Sequence, residues 1–447
     1  MTPPPAPFDP SEVFTPAAPE FVADPYPAYG RLRAAGRAHY NEPTDQWLIP
    51  HHADVSALLR DRRLGRTYLH RFTHEEFGRP APPPEHEPFH VLNDNGMLDL
   101  EPPTHTRIRR LVAKAFTPRT AERLRAYVEE LADGLARDLV ADGGGDLVAR
   151  VAEPLPVAVI AQMLGIPESD RPLLRPWSAA ICGMYELRPS EETAARAVTA
   201  SLEFSAYLRE LIAARRDKPG DDLISGLIAA TDDGQSEQSV QSVQSVQSGP
   251  SVQSAQSRRT VQPAQPAQPG RSLSEQEMIS TCVLLLNAGH EATVNATVNG
   301  WYALLRHPDQ LAALRADPER LVPTAVEELL RYDTPLQLFE RWVLDDIEID
   351  GTVIPRGSEL ALLFGSANHD PAAFTRPGEL DLARRDNPHI SFGAGIHYCI
   401  GAPLARIELV ASMRALLRRA PALRLAAEPR RAPGFVIRGF QELRVEV

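Results

Sequence analysis

The stretch Phe392-Gly393-Ala394-Gly395-Ile396-His397-Tyr398-Cys399-Ile400-Gly401-Ala402-Pro403 places one cysteine between a glycine-bent loop and a helix start. Gly393 and Gly395 reach backbone angles closed to other residues, so the chain can fold tightly around the sulfur. Pro403 suits the first turn of a following helix, predicted from Ala402 to about Leu417. The Cys399 sulfur then faces backbone N–H groups and the positive end of that helix, and both favour a thiolate.

A buried thiolate held this way can be the axial ligand of a haem iron, pushing electron density that favours O–O cleavage. The spacing of Phe392, Gly395, Cys399 and Gly401 resembles the haem-binding signature of the cytochromes P450, the haem-thiolate monooxygenases. The resemblance runs from about residue 20 to the C-terminus, outside one insertion. It implies one domain over 21–447 with a long central helix over a buried haem b. Cys399 would be the iron ligand, with Phe392, Gly401 and Ala288 against the cofactor.

Bulk properties narrow the class. The net charge of −12 argues against a general nucleic-acid binder. Cys182, Cys282 and Cys399 are far apart and odd in number, which is neither a disulfide framework nor a paired zinc motif and fits a reducing cytoplasm. Residues 1–10 are proline-rich, with no basic segment followed by an apolar one, so no signal peptide is visible. The apolar run Cys282–Leu286 is soon broken by Asn287, His290 and Glu291, whereas a membrane span needs roughly 18 apolar residues. These features predict a soluble protein; the resemblance is to the bacterial soluble type, for which a cytoplasmic monomer is expected.

Along the chain, residues 1–20 read as a flexible tail. Helical periodicity covers Pro25–Ala35, Ala53–Arg60, Thr104–Ala115, Thr120–Ala141, Leu155–Met163 and Glu192–Arg215. Between Leu64 and Asn95, Pro80, Pro82, Pro83, Pro84 and Pro88 rule out a single helix. The resemblance makes this segment a loop that roofs the substrate pocket. Residues 235–272 repeat Ser-Val-Gln at Ser239, Ser242, Ser245 and Ser251, a polar low-complexity insertion that cannot bury a core. It is predicted to be disordered.

Ser274 and Glu277 form a capping-box pattern that opens a helix running to about Leu305. About 32 residues at ~1.5 Å each span roughly 48 Å, enough to cross the molecule. Pro323–Tyr332 is a further helix, and Arg341–Leu344, Ile347–Ile349, Val353–Ile354 and Glu359–Leu363 read as strands, with Asp350-Gly351 as a hairpin turn. The fold class is mostly α with a small β part.

Four positions match the family's haem propionate partners: His105 and Arg109, four apart on one helix face, then Arg341, then His397. Glu328-Leu329-Leu330-Arg331 matches its Glu-x-x-Arg motif, with an implied structural role as a buried ion pair. Ala288-Gly289-His290-Glu291-Ala292-Thr293 falls where the family activates dioxygen. There an acid relays protons and the next residue, usually threonine, holds a water. Glu291 takes the acid position, but Ala292 stands in the threonine position and Thr293 comes one residue late. One residue is about 100° around a helix, so Thr293 should not simply substitute. This departure suggests a substrate that supplies the missing polar group, or an oxidative C–C or C–O coupling in place of oxygen insertion.

Pocket positions implied by helix geometry and the resemblance are Leu284, Asn287, Leu336, Gln337, Val436 and Ile437, with Asn287 and Gln337 placed to orient a polar substrate. Arg107, Arg110, Lys114, Arg406 and Arg414 are expected on the opposite side as a basic patch for an acidic ferredoxin, itself served by a ferredoxin reductase. The implied activity is oxidation of a small organic substrate, of the secondary-metabolite kind. The rival is a haem-binding sensor without turnover, against which Glu291 and the roof loop argue.

Overall fold

In the computed structural model the central helix, Glu275–Arg306, starts where the sequence placed it. Ser274 Oγ accepts from the Glu277 amide at 3.1 Å and the Glu277 carboxylate accepts from the Ser274 amide at 2.8 Å, the reciprocal bonds of a capping box. The structure describes residues 8–114, 116, 118–230 and 272–447. Apart from Ser272, the expected insertion over 235–272 lies outside them.

The central helix packs against helices Pro154–Leu164, Arg171–Cys182, Glu191–Asp217, Pro318–Tyr332 and Ala402–Arg419. It is therefore apolar and buried on most sides: Met278, Leu286, Val298, Trp301 and Leu304 all sit in the main core. Helices Tyr26–Ala35, His52–Leu58, Thr104–Ala113 and Pro118–Ala141 match the sequence reading within a few residues. Arg171–Cys182 was not foreseen, because Pro172 and Pro176 mask its pattern. Pro172 lies in the first turn, where no intrahelical donor is missed, and Leu174, Ser178 and Ile181 supply a buried face. Pro318–Tyr332 begins before the expected Pro323, since Asp317 caps the Arg320 amide and Pro323 lies inside the helix.

A five-stranded sheet stands beside the helices in the order His39–Asn41, Gln46–Ile49, Glu359–Leu362, Phe339–Val343, Leu64–Gly65. Gln46–Ile49 runs parallel to Glu359–Leu362 with Trp47 opposite Leu360, and Phe339–Val343 runs antiparallel with Arg341 opposite Leu360. The hairpin Ile347–Ile349 and Thr352–Ile354 turns through Asp350 at φ 51° and Gly351 at φ 78°, as an Asp-Gly turn requires.

Two expectations need correction. The proline-rich stretch before Asn95 contains short helices, His74–Phe77 and Glu87–Asp94, each bounded by the Gly or Pro residues that prevent a longer one. The described part of the tail, residues 8–20, is packed: Val13 and Phe14 are buried, and the Phe14 ring meets Phe21 and Phe435 edge-on at 5.4 and 5.6 Å. The apolar surface that holds Phe14 comes from the far end of the chain, which no local pattern announces.

Candidate active site

The cysteine loop is built as its glycines require. Gly393 and Gly395 lie at φ 67° and 69°, and a Cβ at Gly395 would meet the Leu59 carbonyl oxygen at 2.3 Å. The Cys399 amide donates to Phe392 O at 3.0 Å and closes the loop. Gly401 caps the helix Ala402–Arg419, with Pro403 in its first turn. Burial pushes the Cys399 thiol up, while the amides of Gly401 and Ala402, then Arg109 and Arg406, pull it back toward the thiolate. The Arg406 guanidinium also lies over the Phe392 ring at 4.4 Å.

Basic side chains surround this loop. His105, on Thr104–Ala113, is 2 % exposed, and neither ring nitrogen has a hydrogen-bond partner. Its ring lies 4.5 Å from that of His397. Burial, then His397 and Arg109, push His105 down to about 4. Arg109, four residues on, donates to the Tyr398 carbonyl. His397 Nε2 lies 3.3 Å from Glu101 Oε1. Arg341 is buried on its strand; Nη1 donates to Glu340 O at 2.8 Å and Nη2 has no partner. Burial, then Arg66, push it down to about 9. Buried donors rarely go without acceptors. These orphaned atoms, all from groups that are or can become cationic, fit a cofactor that carries carboxylates beside a thiolate-bound metal.

On the central helix, Ala288 and Ala292 are exposed and Leu284, Glu291 and Asn295 half-exposed, whereas Val283, Leu285, Leu286 and Val294 are buried. With Gly289, also half-exposed, the open positions fall within a sector about 160° wide, so one side of the helix faces a cleft. Thr293 is outside that sector and buried, its carbonyl accepting from Thr297 Oγ1 at 2.9 Å. It does not stand in for a hydroxyl at Ala292, so of the three positions 291–293 it is the one without a place on the cleft. The Glu291 carboxyl is pushed up by burial and by Glu153, against the pull of Arg175. His290 Nδ1 is 3.6 Å from Glu291 Oε1 and 3.4 Å from Ser178 Oγ.

The expected pocket residues divide. Leu336 and Ile437 are bridged to each other and only partly buried. Asn287 is 2 % exposed and lies beside the Tyr185 hydroxyl, which donates to Asn93; neither Asn287 side-chain atom has a partner in good hydrogen-bond geometry. Gln337 does not reach a pocket: it is fully buried, its Oε1 accepting from Tyr29 and its Nε2 donating to Thr334 O at 2.7 Å. The segment between Pro335 and the strand Phe339–Val343 turns it toward the N-terminal core. Val436 likewise packs with Phe14, Phe21 and Phe435.

Glu328 and Arg331 pair through two bonds of 2.8 Å, both side chains wholly buried. Arg384 Nε adds a third bond at 2.9 Å, a partner that sequence spacing gave no reason to select. Glu408, also missed, is buried on the cysteine helix with Oε2 unpartnered, and burial pushes it up to about 8. Its only signal is an acid between the buried Ile407 and Leu409.

The basic patch is smaller than expected. Arg107 is paired with Glu277 and donates to Ser272 O at 2.7 Å; Arg406 forks onto Glu327 at 2.6 and 2.8 Å; Arg414 meets Glu319 at 2.7 Å. Carboxylates of neighbouring helices hold these three. Arg110 and Lys114 are exposed, with no carboxylate partner among the described residues.

The comparisons agree with this geometry. The model of the family described as Cytochrome P450 matches residues 251–420. The chain is 39% identical to the cytochrome P450 monooxygenase PikC of Streptomyces venezuelae, over 95% of this chain and 91% of that one. It is 35% identical to the polyketide biosynthesis cytochrome P450 PksS of Bacillus subtilis, covering 93% of each. Among solved structures, P450BioI in complex with a hexadec-9Z-enoic acid ligated acyl carrier protein superposes with a TM-score of 0.82 at 33% identity, covering 96% of this chain and 99% of that one. The chain belongs to the cytochrome P450 family and is a haem-thiolate monooxygenase, with Cys399 as the axial ligand of its haem. No helix among the described residues is long and apolar enough to cross a membrane.

Proposed function

We propose that this chain oxidises a small organic substrate of secondary metabolism, of polyketide-like size, in the cytoplasm and as a monomer. Electrons would come from an acidic ferredoxin and its reductase. The observation that carries the reading is the set of unpartnered donors on His105 and Arg341 beside Cys399 and His397. Haem bound there supplies the reductive activation of dioxygen and the transfer of one oxygen atom.

The chain's own residues have distinct tasks. Cys399 holds the metal, and the amides of Gly401 and Ala402 favour its thiolate against the burial that pushes the thiol up. His105, Arg109, Arg341 and His397 bind the carboxylates. Leu284, Ala288, Leu336 and Ile437 wall the substrate space, and Asn287 is available to a polar substrate group. Glu291, its carboxyl pushed up by burial and by Glu153, moves protons inward past the Glu153–Arg175 pair. Because Ala292 offers no hydroxyl, a polar group of the substrate completes the path. The same gap favours oxidative coupling as a second reading, since radical pairing needs no inserted oxygen.

Arg110 and Lys114 are the exposed cations that a ferredoxin would meet first. The test is a screen of polyketide-like compounds for displacement of the axial water, read as a Soret shift. Turnover with ferredoxin, reductase and NADH follows. Oxygenated product supports the reading, dimeric or cyclised product without added oxygen supports coupling, and a Soret shift with no turnover would return the sensor.

A further inference from the structure

Helices Arg171–Cys182 and Glu191–Asp217 lie against each other and against the central helix, and residues 183–190 join them. Three successive side chains of this joint reach three separate parts of the molecule. The Tyr185 hydroxyl donates to Asn93 Oδ1 at 3.1 Å, on the helix Glu87–Asp94. Leu187 packs into the apolar cluster of Phe14, Phe21 and Phe435. Between them, the Glu186 carboxylate accepts three consecutive backbone amides: Phe435 at 2.9 Å and Val436 at 3.1 Å on Oε2, and Ile437 at 3.3 Å on Oε1.

No Lys or Arg pairs with Glu186 among the described residues, so backbone dipoles alone hold its charge. The turn is shaped for it. A Cβ on Gly434 would lie 2.6 Å from Glu186 Oε1, although Gly434 is not in the left-handed region, so a side chain there would have to push the carboxylate off its amides. The turn then passes the constraint inward: the Gln337 amide donates to Val436 O at 3.0 Å, and Ile437 is bridged to Leu336.

We infer that Glu186 is a positioning residue of the substrate pocket, a latch that fixes the joint between the two helices onto the turn 434–437 when the pocket is closed. This rests on the placement of Leu336 and Ile437 at the pocket wall under Proposed function. Charge-assisted bonds to three amides hold the closed form, and a bulky ligand enters or leaves only when they break. A small ligand need not break them.

The test compares haem-loaded wild type, Glu186→Ala, Glu186→Gln and Gly434→Ala by stopped-flow Soret shifts, with econazole as the bulky probe and imidazole as the small one. Glu186→Ala removes the acceptor, and Gly434→Ala pushes the turn off an intact carboxylate. Both are expected to raise econazole association and dissociation rates about tenfold while leaving imidazole within about twofold. The double variant should add nothing to either single one. Should Glu186→Ala not fold, Glu186→Gln and Gly434→Ala carry the same comparison. Econazole rates within twofold of wild type in folded variants overturn the latch alone. A wild-type protein that binds neither probe removes the pocket assignment, and the latch with it.

Discussion

Ala292 opens on the cleft of the central helix, while Thr293, the next residue, is buried with its carbonyl bonded to Thr297. Thr293 therefore offers no hydroxyl to the cleft, and under the proposed function a water or the substrate takes that part. Efficient coupling of NADH use to product is expected to depend on a polar group near the oxidised atom of the native substrate. An analogue without it should bind but release more hydrogen peroxide, and Ala292→Thr should restore coupling for that analogue. Equal coupling for both compounds, unchanged in Ala292→Thr, would show that Glu291 and water suffice.

Cys399→Ser is expected to abolish the thiolate-type absorption of the ferrous–CO complex, because a serine hydroxyl is not ionised near neutral pH. Retention of that band would remove Cys399 as the ligand.

Arg341 is almost wholly buried with one guanidinium nitrogen unpartnered. Arg341→Leu should weaken haem retention, raising the rate of haem transfer to apomyoglobin by about tenfold or more, as expected for losing a buried charge-assisted bond. A transfer rate equal to wild type would show that the cofactor's carboxylates lie elsewhere.

The Glu328, Arg331 and Arg384 cluster is buried throughout: removing Glu328 leaves two guanidinium groups without their carboxylate, and removing Arg331 leaves Glu328 to Arg384 alone and takes a donor from the Asn368 and Glu379 carbonyls. Glu328→Gln or Arg331→Met should each cost about 3–5 kcal/mol in unfolding free energy. The double variant should cost much less than the sum. Strict additivity in urea unfolding would falsify a coupled pair.

Burial pushes the Glu408 carboxyl from 4.5 up to about 8. A raised carboxyl favours the native state only below its unfolded value; as pH rises from 4.5 toward 8, the unfolded chain loses the proton first and stability falls. Glu408→Gln removes that slope. Relative to its value at pH 4, its stability should gain on wild type by about 3–5 kcal/mol at pH 8. Parallel pH profiles for the two proteins would mean that Glu408 is ionised in the native state.

Much of the site could be read from local pattern. The Gly393–Pro403 loop, the Ser274 capping box and the Glu328–Arg331 spacing are short-range devices, set by backbone angles or one helix turn. The same holds for His105 and Arg109, which share a helix face. What failed were assignments that depend on which face a residue turns in a packed structure. Gln337 was expected in the pocket yet bonds Tyr29, 308 positions away; Arg107 was expected at a docking surface yet pairs with Glu277.

The sequence by itself determined the cysteine loop and the long central helix, because each rests on interactions within a few residues. Only the tertiary structure decided the partners of those elements: Arg384 on Glu328, Phe14 against Phe435, and the Glu186 carboxylate on the amides of 435–437. An amide or a guanidinium can satisfy any acceptor that comes within reach. Which one does so is settled by how distant segments pack around the core, and that cooperative outcome leaves no mark in the local pattern.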